Sequence, residues 1–389
     1  MRILVTDGMD KTAMAQLREM GHEVVEQFYE PDQLGAALKD FDAVVVRSKT
    51  KVRANHIDEA KTGKLKLIIR GGVGVDNIDV KYAESCGITV KNTPRASSQS
   101  VAELAMGHMF SCARYLSIAG HTMREDKWEK KAYGKGIELQ GKTLGIVGFG
   151  RIGQHLGVMA KAIGMKVIAF DIFHIPGIEE QLGIPYVEMD ELLAQSDFVS
   201  VHAPAVDGGA LISAENIAKM KDGVVILNFA RDLLVDDEAM AAALASGKVR
   251  RYITDFPNDR TAKMPGCIAI PHLGASTEES EDNCAKMAVS QVMNYLENGN
   301  IVNSVNFPNC DMGVCTSQGR ITILHKNIPN SLGRFTTAIA GENVNIAGLM
   351  NKSRREYAYT MLDVDHRPSE AVVESLRSIE GVLRVRVVK

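Results

Sequence analysis

Short apolar runs separated by amphipathic stretches set the pattern of this chain. In the first third, "RILV", "HEVV", "DAVVV", "KLKLIIR" and "GITV" have strand length and β-branched character. Between them, "KTAMAQLREMG" and "PDQLGAALKD" repeat apolar positions at helical spacing. This alternation predicts a parallel sheet with helices on its faces. A helix without Pro or any break signal is predicted from about Ser98 to Ala119. The alternation resumes at "KTLGIVGFG" and runs through "KVIAFD", "FVSVHAP", "VVILNFA", "RRYITDF" and "CIAIPH", a second doubly wound pattern. "TEESEDNCAKMAVSQVMNYLENG" reads as one long helix closed by glycine. Residues 302–318 have weak periodicity and several turn residues, and read as a linker. The remainder reads β-α-β-β-α-β, a ferredoxin-like order that looks independent of the rest.

Composition narrows the function classes. The chain has 389 residues, enough for two or three domains, with 45% hydrophobic and 24% charged residues. A net charge of −3 provides no field for nucleic acid or a membrane surface. The six cysteines are scattered without a C-x-x-C pair, which fits reduced thiols; Cys310 and Cys315 lack a partner pair, so no metal site is expected. After the opening "MRILVTD", the apolar run Ile3–Val5 is too short for a signal-peptide core, and no apolar run approaches membrane-spanning length, so a cytoplasmic location is expected.

The stretch "GIVGFGRIG" places Gly148, Gly150 and Gly153 at the spacing G-x-G-x-x-G. A strand precedes it, a helix opens at about Arg151 and Ile152, and the next strand ends at Asp171. In that context the glycines permit a tight turn, close approach to a pyrophosphate and close helix–strand packing. The helix N-terminus favours the phosphates. Asp171 would accept hydrogen bonds from ribose hydroxyls and repel a 2′-phosphate, favouring NAD over NADP; alternatively it caps a turn.

Hydride chemistry on a hydroxy acid needs a cation for the carboxylate, a base for the hydroxyl proton and an acid to orient that base. Predicted strand ends offer Arg231, Asp255, Asp259 and His272. With "GKTLGIVGFGRIG", "VHAP", "LNFARDLLVDDEAM" and "PHLGAST", residues 1–305 resemble the D-isomer-specific 2-hydroxyacid dehydrogenases. The resemblance implies catalytic roles for Arg231 and His272. It also implies cofactor contacts at His202, Pro204, Ala230, Asp255 and Gly274. Two departures stand out. Asp232 occupies the place of the usual glycine after the arginine, where a left-handed backbone is expected to be tolerated by Asp. "TDFPND" is one residue shorter than the family's motif and ends in Asp259 where the family has glutamate. Asp259 is therefore expected to pair with the imidazole.

The N-terminal stretches "VVRSKTKV", "RGGVGVDNIDV" and "NTPRASSQSVAE" resemble the family members that oxidise 3-phospho-D-glycerate with NAD to 3-phosphohydroxypyruvate, the first step toward L-serine. Such a substrate carries a carboxylate and a phosphate at opposite ends. Arg231 and the turn at Val73 and Gly74 are candidates for the carboxylate, Arg47 and Arg70 for the phosphate. The resemblance implies that the region around Trp128 packs on a second subunit and that Lys130 and Lys131 lend it a cation, so a homodimer or homotetramer is expected. "HKNIPNSLGRFTTAIAGENVNIAGL" resembles the ACT regulatory domain, which implies an L-serine effector at His325, Asn327 and Asn345; Asn330 replaces a glycine there.

The expected organisation is α/β. A flavodoxin-like substrate-binding domain comprises residues 1–96 and 276–303, and a Rossmann NAD-binding domain residues 97–275. A linker, 304–318, leads to a ferredoxin-like ACT domain, 319–389. The cleft between the first two is expected to hinge near Ser97 and Ala275–Thr277. The alternatives are a hydroxypyruvate or glyoxylate reductase of the same family and a non-catalytic, NAD-sensing corepressor-like protein.

Overall fold

A computed structural model describes residues 1–389 except 205–208 and 343. The chain divides into two units, Met1–Ala96 with Glu278–Lys389, and Ser97–Thr277.

In the first unit, the apolar runs become β1 (Arg2–Val5), β2 (Glu23–Glu26), β3 (Ala43–Val46), β4 (Leu67–Arg70) and β5 (Thr89–Asn92). They pair in parallel in the order β2-β1-β3-β4-β5, the flavodoxin-like order. Ile3, Leu4, Val44 and Ile68 are fully buried, as expected for strands covered on both faces. Helices Lys11–Glu19 and Glu278–Asn298 cover one face through Met14, Leu17, Ala285 and Val292. Helices Pro31–Leu38, Ala54–Ala60 and Val80–Ser85 cover the other through Leu34, Ile57 and Ala83.

The second unit contains β6 (Thr143–Val147), β7 (Lys166–Phe170), β8 (Phe198–Val201), β9 (Val224–Asn228), β10 (Val249–Thr254) and β11 (Cys267–Ala269). Their order is β11-β10-β9-β8-β6-β7, all parallel. A single bridge from Ala169 to Tyr186 adds a rudimentary strand beyond β7, which completes the order typical of dinucleotide-binding sheets. The strand order reverses between β6 and β8, the switch point where ligands bind in such sheets.

Three sequence expectations are corrected. The helix expected over 98–119 is broken: it runs Ser98–Arg114, then Leu116–Arg124, with Tyr115 in the left-handed region at φ 58°. Tertiary contacts fix Tyr115 there, since its hydroxyl accepts from Arg250 Nη2 at 2.9 Å and its ring meets Tyr133. The C-terminal segment is not independent. β12 (Gly319–Lys326), β13 (Ile346–Arg354), β14 (Tyr357–Val364) and β15 (Val382–Val387) form an antiparallel sheet, β13-β14-β12-β15. With strand periodicity, Ile321 and Ile323 face the sheet's own helices, Ser331–Ala340 and Glu370–Arg377. Leu324, Tyr359 and Met361 pack with Tyr295 and Leu296 of the long helix. Arg320 is 1% exposed, forks onto Asp363 at 2.5 and 2.8 Å and donates to the Asn298 carbonyl. The stretch read as a linker is itself packed, with Phe307 and Cys310 buried. Among the described residues, no helix is long and apolar enough to cross a membrane.

Candidate active site

The glycines of the loop after β6 differ in what a side chain would meet. Gly148 has φ +92°, and a Cβ there would lie 2.5 Å from the Ala203 nitrogen. A Cβ on Gly153 would lie 2.5 Å from the Gly148 carbonyl oxygen. Gly150 meets nothing within 4 Å, so the space beside it is open at the start of helix Arg151–Ala162. An open backbone cradle at a helix N-terminus suits a pyrophosphate. Arg151 is exposed and Ile152 half-buried.

Asp171 has a structural task as well. Its Oδ2 accepts from Phe149 N at 2.7 Å and its Oδ1 from Phe173 N at 3.0 Å. A carboxylate has about four acceptor sites, so lone pairs remain for ribose hydroxyls. At the end of β8, His202 Nε2 lies 2.8 Å from Ser200 Oγ, while Nδ1 is buried without a hydrogen-bond partner. Burial pushes this imidazole down to about 3, so it is neutral at physiological pH. Pro204 is exposed, and the segment after it lies outside the described residues.

At the end of β9, the fully buried Asn228 accepts from Ala230 N at 3.1 Å and donates to the Arg231 carbonyl at 2.7 Å. This clamp fixes the turn from which the Arg231 side chain departs. Arg231 Nη1 also donates to the Ala230 carbonyl at 2.5 Å. Asp232 is exposed and opens a short 3-10 turn, Asp232–Leu234. It is not among the positive-φ residues, so the expected left-handed turn is corrected: no glycine is needed here.

Phe256, just beyond β10, joins the two groups expected to be catalytic. The Arg231 guanidinium carbon lies 5.0 Å from the Phe256 ring centroid, and the His272 ring centroid lies 4.3 Å from it, tilted 45°. His272 is exposed with φ 55°. The buried Asp255 holds the next residues: Leu273 N donates to Oδ1 at 2.6 Å and Gly274 N to Oδ2 at 2.8 Å. A Cβ on Gly274 would crowd the same Asp255 oxygen at 2.8 Å. Burial raises the Asp255 carboxyl above the ordinary range, against the two amide donors and His272.

Asp259 is not brought to the imidazole. It is exposed, and no hydrogen bond or ion pair engages its side chain among the described residues. The cause is its neighbour. Asn258 Oδ1 accepts from Arg260 N and Thr261 N at 3.0 and 2.9 Å, and its Nδ2 donates to Asp237 at 2.8 Å. The shortened loop is anchored at Asn258, and Asp259 is left at the apex. Sequence reasoning missed Asn228, Phe256 and Asn258; "LNFARD" and "TDFPND" held the signal, but only tertiary structure gives these residues their partners.

In the first unit, Arg47 and Arg70 stand at the ends of neighbouring strands, with Val46 in register with Arg70. Arg47 N donates to Asp7 Oδ2 at 2.8 Å, its carbonyl accepts from Asn77, and its guanidinium pairs with Glu281 at 2.6 Å. Arg70 folds back along its own turn, Nη1 to the Gly71 carbonyl at 3.1 Å. Gly72 has φ +151°, a backbone conformation that L side chains rarely adopt, which favours glycine there. Val73 is exposed, its carbonyl accepts from Asn92 at 2.6 Å, and Gly74 follows half-buried. A cavity of about 340 Å³ is lined by Lys11, Arg47, Gly71, Glu281 and Cys284.

The three residues expected to hold an effector do not meet within one chain. His325 is in register with Ala358, while Asn345 adjoins Asp365 at the other end of β14. At about 3.4 Å per residue these ends are roughly 20 Å apart. His325 is buried, with its nitrogens 2.8 Å from the Lys326 carbonyl and 2.9 Å from Thr360 Oγ1. Asn327 and Asn345 are exposed. Asn330 has φ 63°, a conformation Asn tolerates in place of glycine. Lys130, Lys131 and Trp128 are exposed on an irregular stretch rather than a helix.

The cradle at the switch point and the arginine and histidine on one aromatic ring put the second unit in the class of dinucleotide-dependent oxidoreductases. Residues 106–274 match the D-isomer specific 2-hydroxyacid dehydrogenase, NAD binding domain family. A Thermotoga maritima relative named hydroxypyruvate reductase is 43% identical, over 76% of this chain and 98% of its own. D-3-phosphoglycerate dehydrogenase 1 of Saccharomyces cerevisiae is 31% identical over 100% of this chain and 87% of its own. The chain spans 60% of the length of some other curated relatives. The structure of NAD+-bound 3-phosphoglycerate dehydrogenase from Entamoeba histolytica superposes with a TM-score of 0.66 at 31% identity, over 79% of this chain and 98% of that one. The chain belongs to the D-isomer-specific 2-hydroxyacid dehydrogenase family and is an NAD-dependent enzyme.

Proposed function

We propose that the enzyme oxidises 3-phospho-D-glycerate to 3-phosphohydroxypyruvate. The observation that carries this reading is the second set of cations, Arg47 and Arg70 at adjacent strand ends beside the Gly72–Gly74 turn, separate from Arg231. A substrate with an anion at each end requires two such sets. The similarity to a yeast phosphoglycerate dehydrogenase along the whole chain, C-terminal sheet included, supports it.

His272 takes the proton of the C2 hydroxyl, and Arg231 binds the carboxylate and polarises the forming carbonyl. Phe256 contacts both groups, and Asp255 fixes the turn after the histidine. The open cradle at Gly150, the helix start at Arg151 and Asp171 fit the pyrophosphate and ribose of NAD. The chemistry that NAD supplies when bound is acceptance of the C2 hydride. The absence of a contact from Asp259 leaves no support for its pairing with His272.

The C-terminal sheet acts as an ACT-type regulatory domain for L-serine, with His325 and Asn327 from one chain and Asn345 from a second. The distance between these positions within one chain supports a site completed by two copies. Inhibition of the full-length enzyme by L-serine tests this, and an unresponsive enzyme removes it.

A hydroxypyruvate reductase is the second reading, favoured by the Thermotoga maritima relative and by the engagement of Arg47 with Glu281. NADH oxidation with 3-phosphohydroxypyruvate, hydroxypyruvate and glyoxylate in parallel separates the two. The highest kcat/KM is expected with the phosphorylated acid; a preference for either unphosphorylated acid overturns the first reading.

A further inference from the structure

We propose that Glu281 sets the selectivity between phosphorylated and unphosphorylated substrates by serving as a resident counter-ion to Arg47. The inference rests on the reading of Arg47 as a phosphate-binding cation.

The backbone of Arg47 is held on both sides. Asp7 holds its amide and Asn77 its carbonyl, both within the turn that follows β3. From there the guanidinium reaches the first turn of helix Glu278–Asn298 and meets Glu281 at 2.6 Å. That first turn holds three acids, Glu278, Glu279 and Glu281. A helix N-terminus favours acids in general, which accounts for their presence but not for the pairing of Glu281 in particular with Arg47.

The charges around the pair make the consequence specific. Arg47 and Glu281 line the same cavity as Lys11 and Asp10, so two positive and two negative side chains balance there. Asp10 is committed to the start of its own helix, accepting from Ala13 N at 2.8 Å. A phosphoryl group carries about −1.5 to −2 charge at neutral pH. Entering this cavity, it gains Arg47 but meets the Glu281 carboxylate. The guanidinium has five N–H donors and can be shared, so Glu281 weakens phosphate binding without abolishing it. The uncharged hydroxymethyl end of hydroxypyruvate feels no such repulsion. The pair therefore narrows the gap between the two substrates. Arg47 and Glu281 side chains are 38% and 52% exposed, so solvent and salt moderate the effect.

The test is Glu281→Gln, which keeps shape and removes charge. KM for 3-phosphohydroxypyruvate is expected to fall about three- to tenfold, with kcat and the KM for hydroxypyruvate unchanged and the gain shrinking in high salt. An unchanged or raised KM for the phosphorylated acid, or an equal change for both acids, overturns the proposal; a raised value would make Glu281 a positioning residue for Arg47. Cooperative thermal unfolding like that of the wild type establishes that the variant is folded. If the wild type turns over hydroxypyruvate but not the phosphorylated acid, the function proposed above fails. Glu281→Gln must then gain that turnover, and no gain overturns the counter-ion as well.

Discussion

Phe256 and His272 lie with ring centroids 4.3 Å apart, and the Arg231 guanidinium carbon lies 5.0 Å from the same Phe256 centroid. One aromatic ring thus touches both groups assigned to the chemistry. Phe256→Leu keeps apolar volume but loses the flat face. We expect kcat to fall about ten- to hundredfold, as small misplacements of reacting groups do, with NADH affinity unchanged. A wild-type kcat would show that the ring is only packing.

The glycine loop separates folding from cofactor binding. Gly148→Ala meets both a positive φ and the Ala203 nitrogen, so it should destabilise the fold by about 1–3 kcal/mol. Gly150→Ala meets open space, so it should unfold like the wild type yet lose NAD affinity in a calorimetric titration. Normal NAD binding by the folded Gly150→Ala variant would count against the cradle.

Asp171→Ala should relax the preference for NAD over NADP in kcat/KM. Because Asp171 also accepts from Phe149 N and Phe173 N, the variant should lose about 1–2 kcal/mol in denaturant unfolding. An unaltered cofactor preference would reduce Asp171 to a turn cap.

Lys91, fully buried on β5, gives a pH signature in stability. Its ammonium is pushed down to about 7 from 10.5, first by burial and then by Arg386, with Asp311 opposing. Its Nζ faces the Gln291 and Asn300 carbonyls at 3.4 Å and the Tyr295 ring. Between these two pH values the unfolded chain holds a proton that the folded chain does not, so stability rises with pH across that window. The difference between the wild type and Lys91→Met should climb by at most about 1.4 kcal/mol per pH unit there and flatten below it. A flat difference throughout would mean that Lys91 is charged in the fold.

What the sequence made legible was local. Strand runs, the glycine spacing and the βαββαβ order depend on neighbours a few residues away, and those elements stand as expected. The break at Tyr115 was invisible because no glycine or proline marks it; Arg250 and Tyr133 hold it from elsewhere in the chain. The motif resemblance assigns Asp259 to the imidazole, whereas Asn258 anchors the loop and Asp259 is exposed without a partner among the described residues. Phe256 reads as an ordinary apolar residue until Arg231 and His272 are seen on its ring. The packing of the C-terminal sheet on the long helix depends on Tyr359, Leu324 and Arg320 finding partners that no periodicity encodes.

The most direct measurement is kcat/KM across pH for the wild type and His272→Gln, with NADH affinity determined for both. The account predicts a loss of at least about a hundredfold in the variant, loss of the general-base limb of the pH profile, and unchanged NADH affinity. Turnover within a few-fold of the wild type, with the same pH profile, would contradict it.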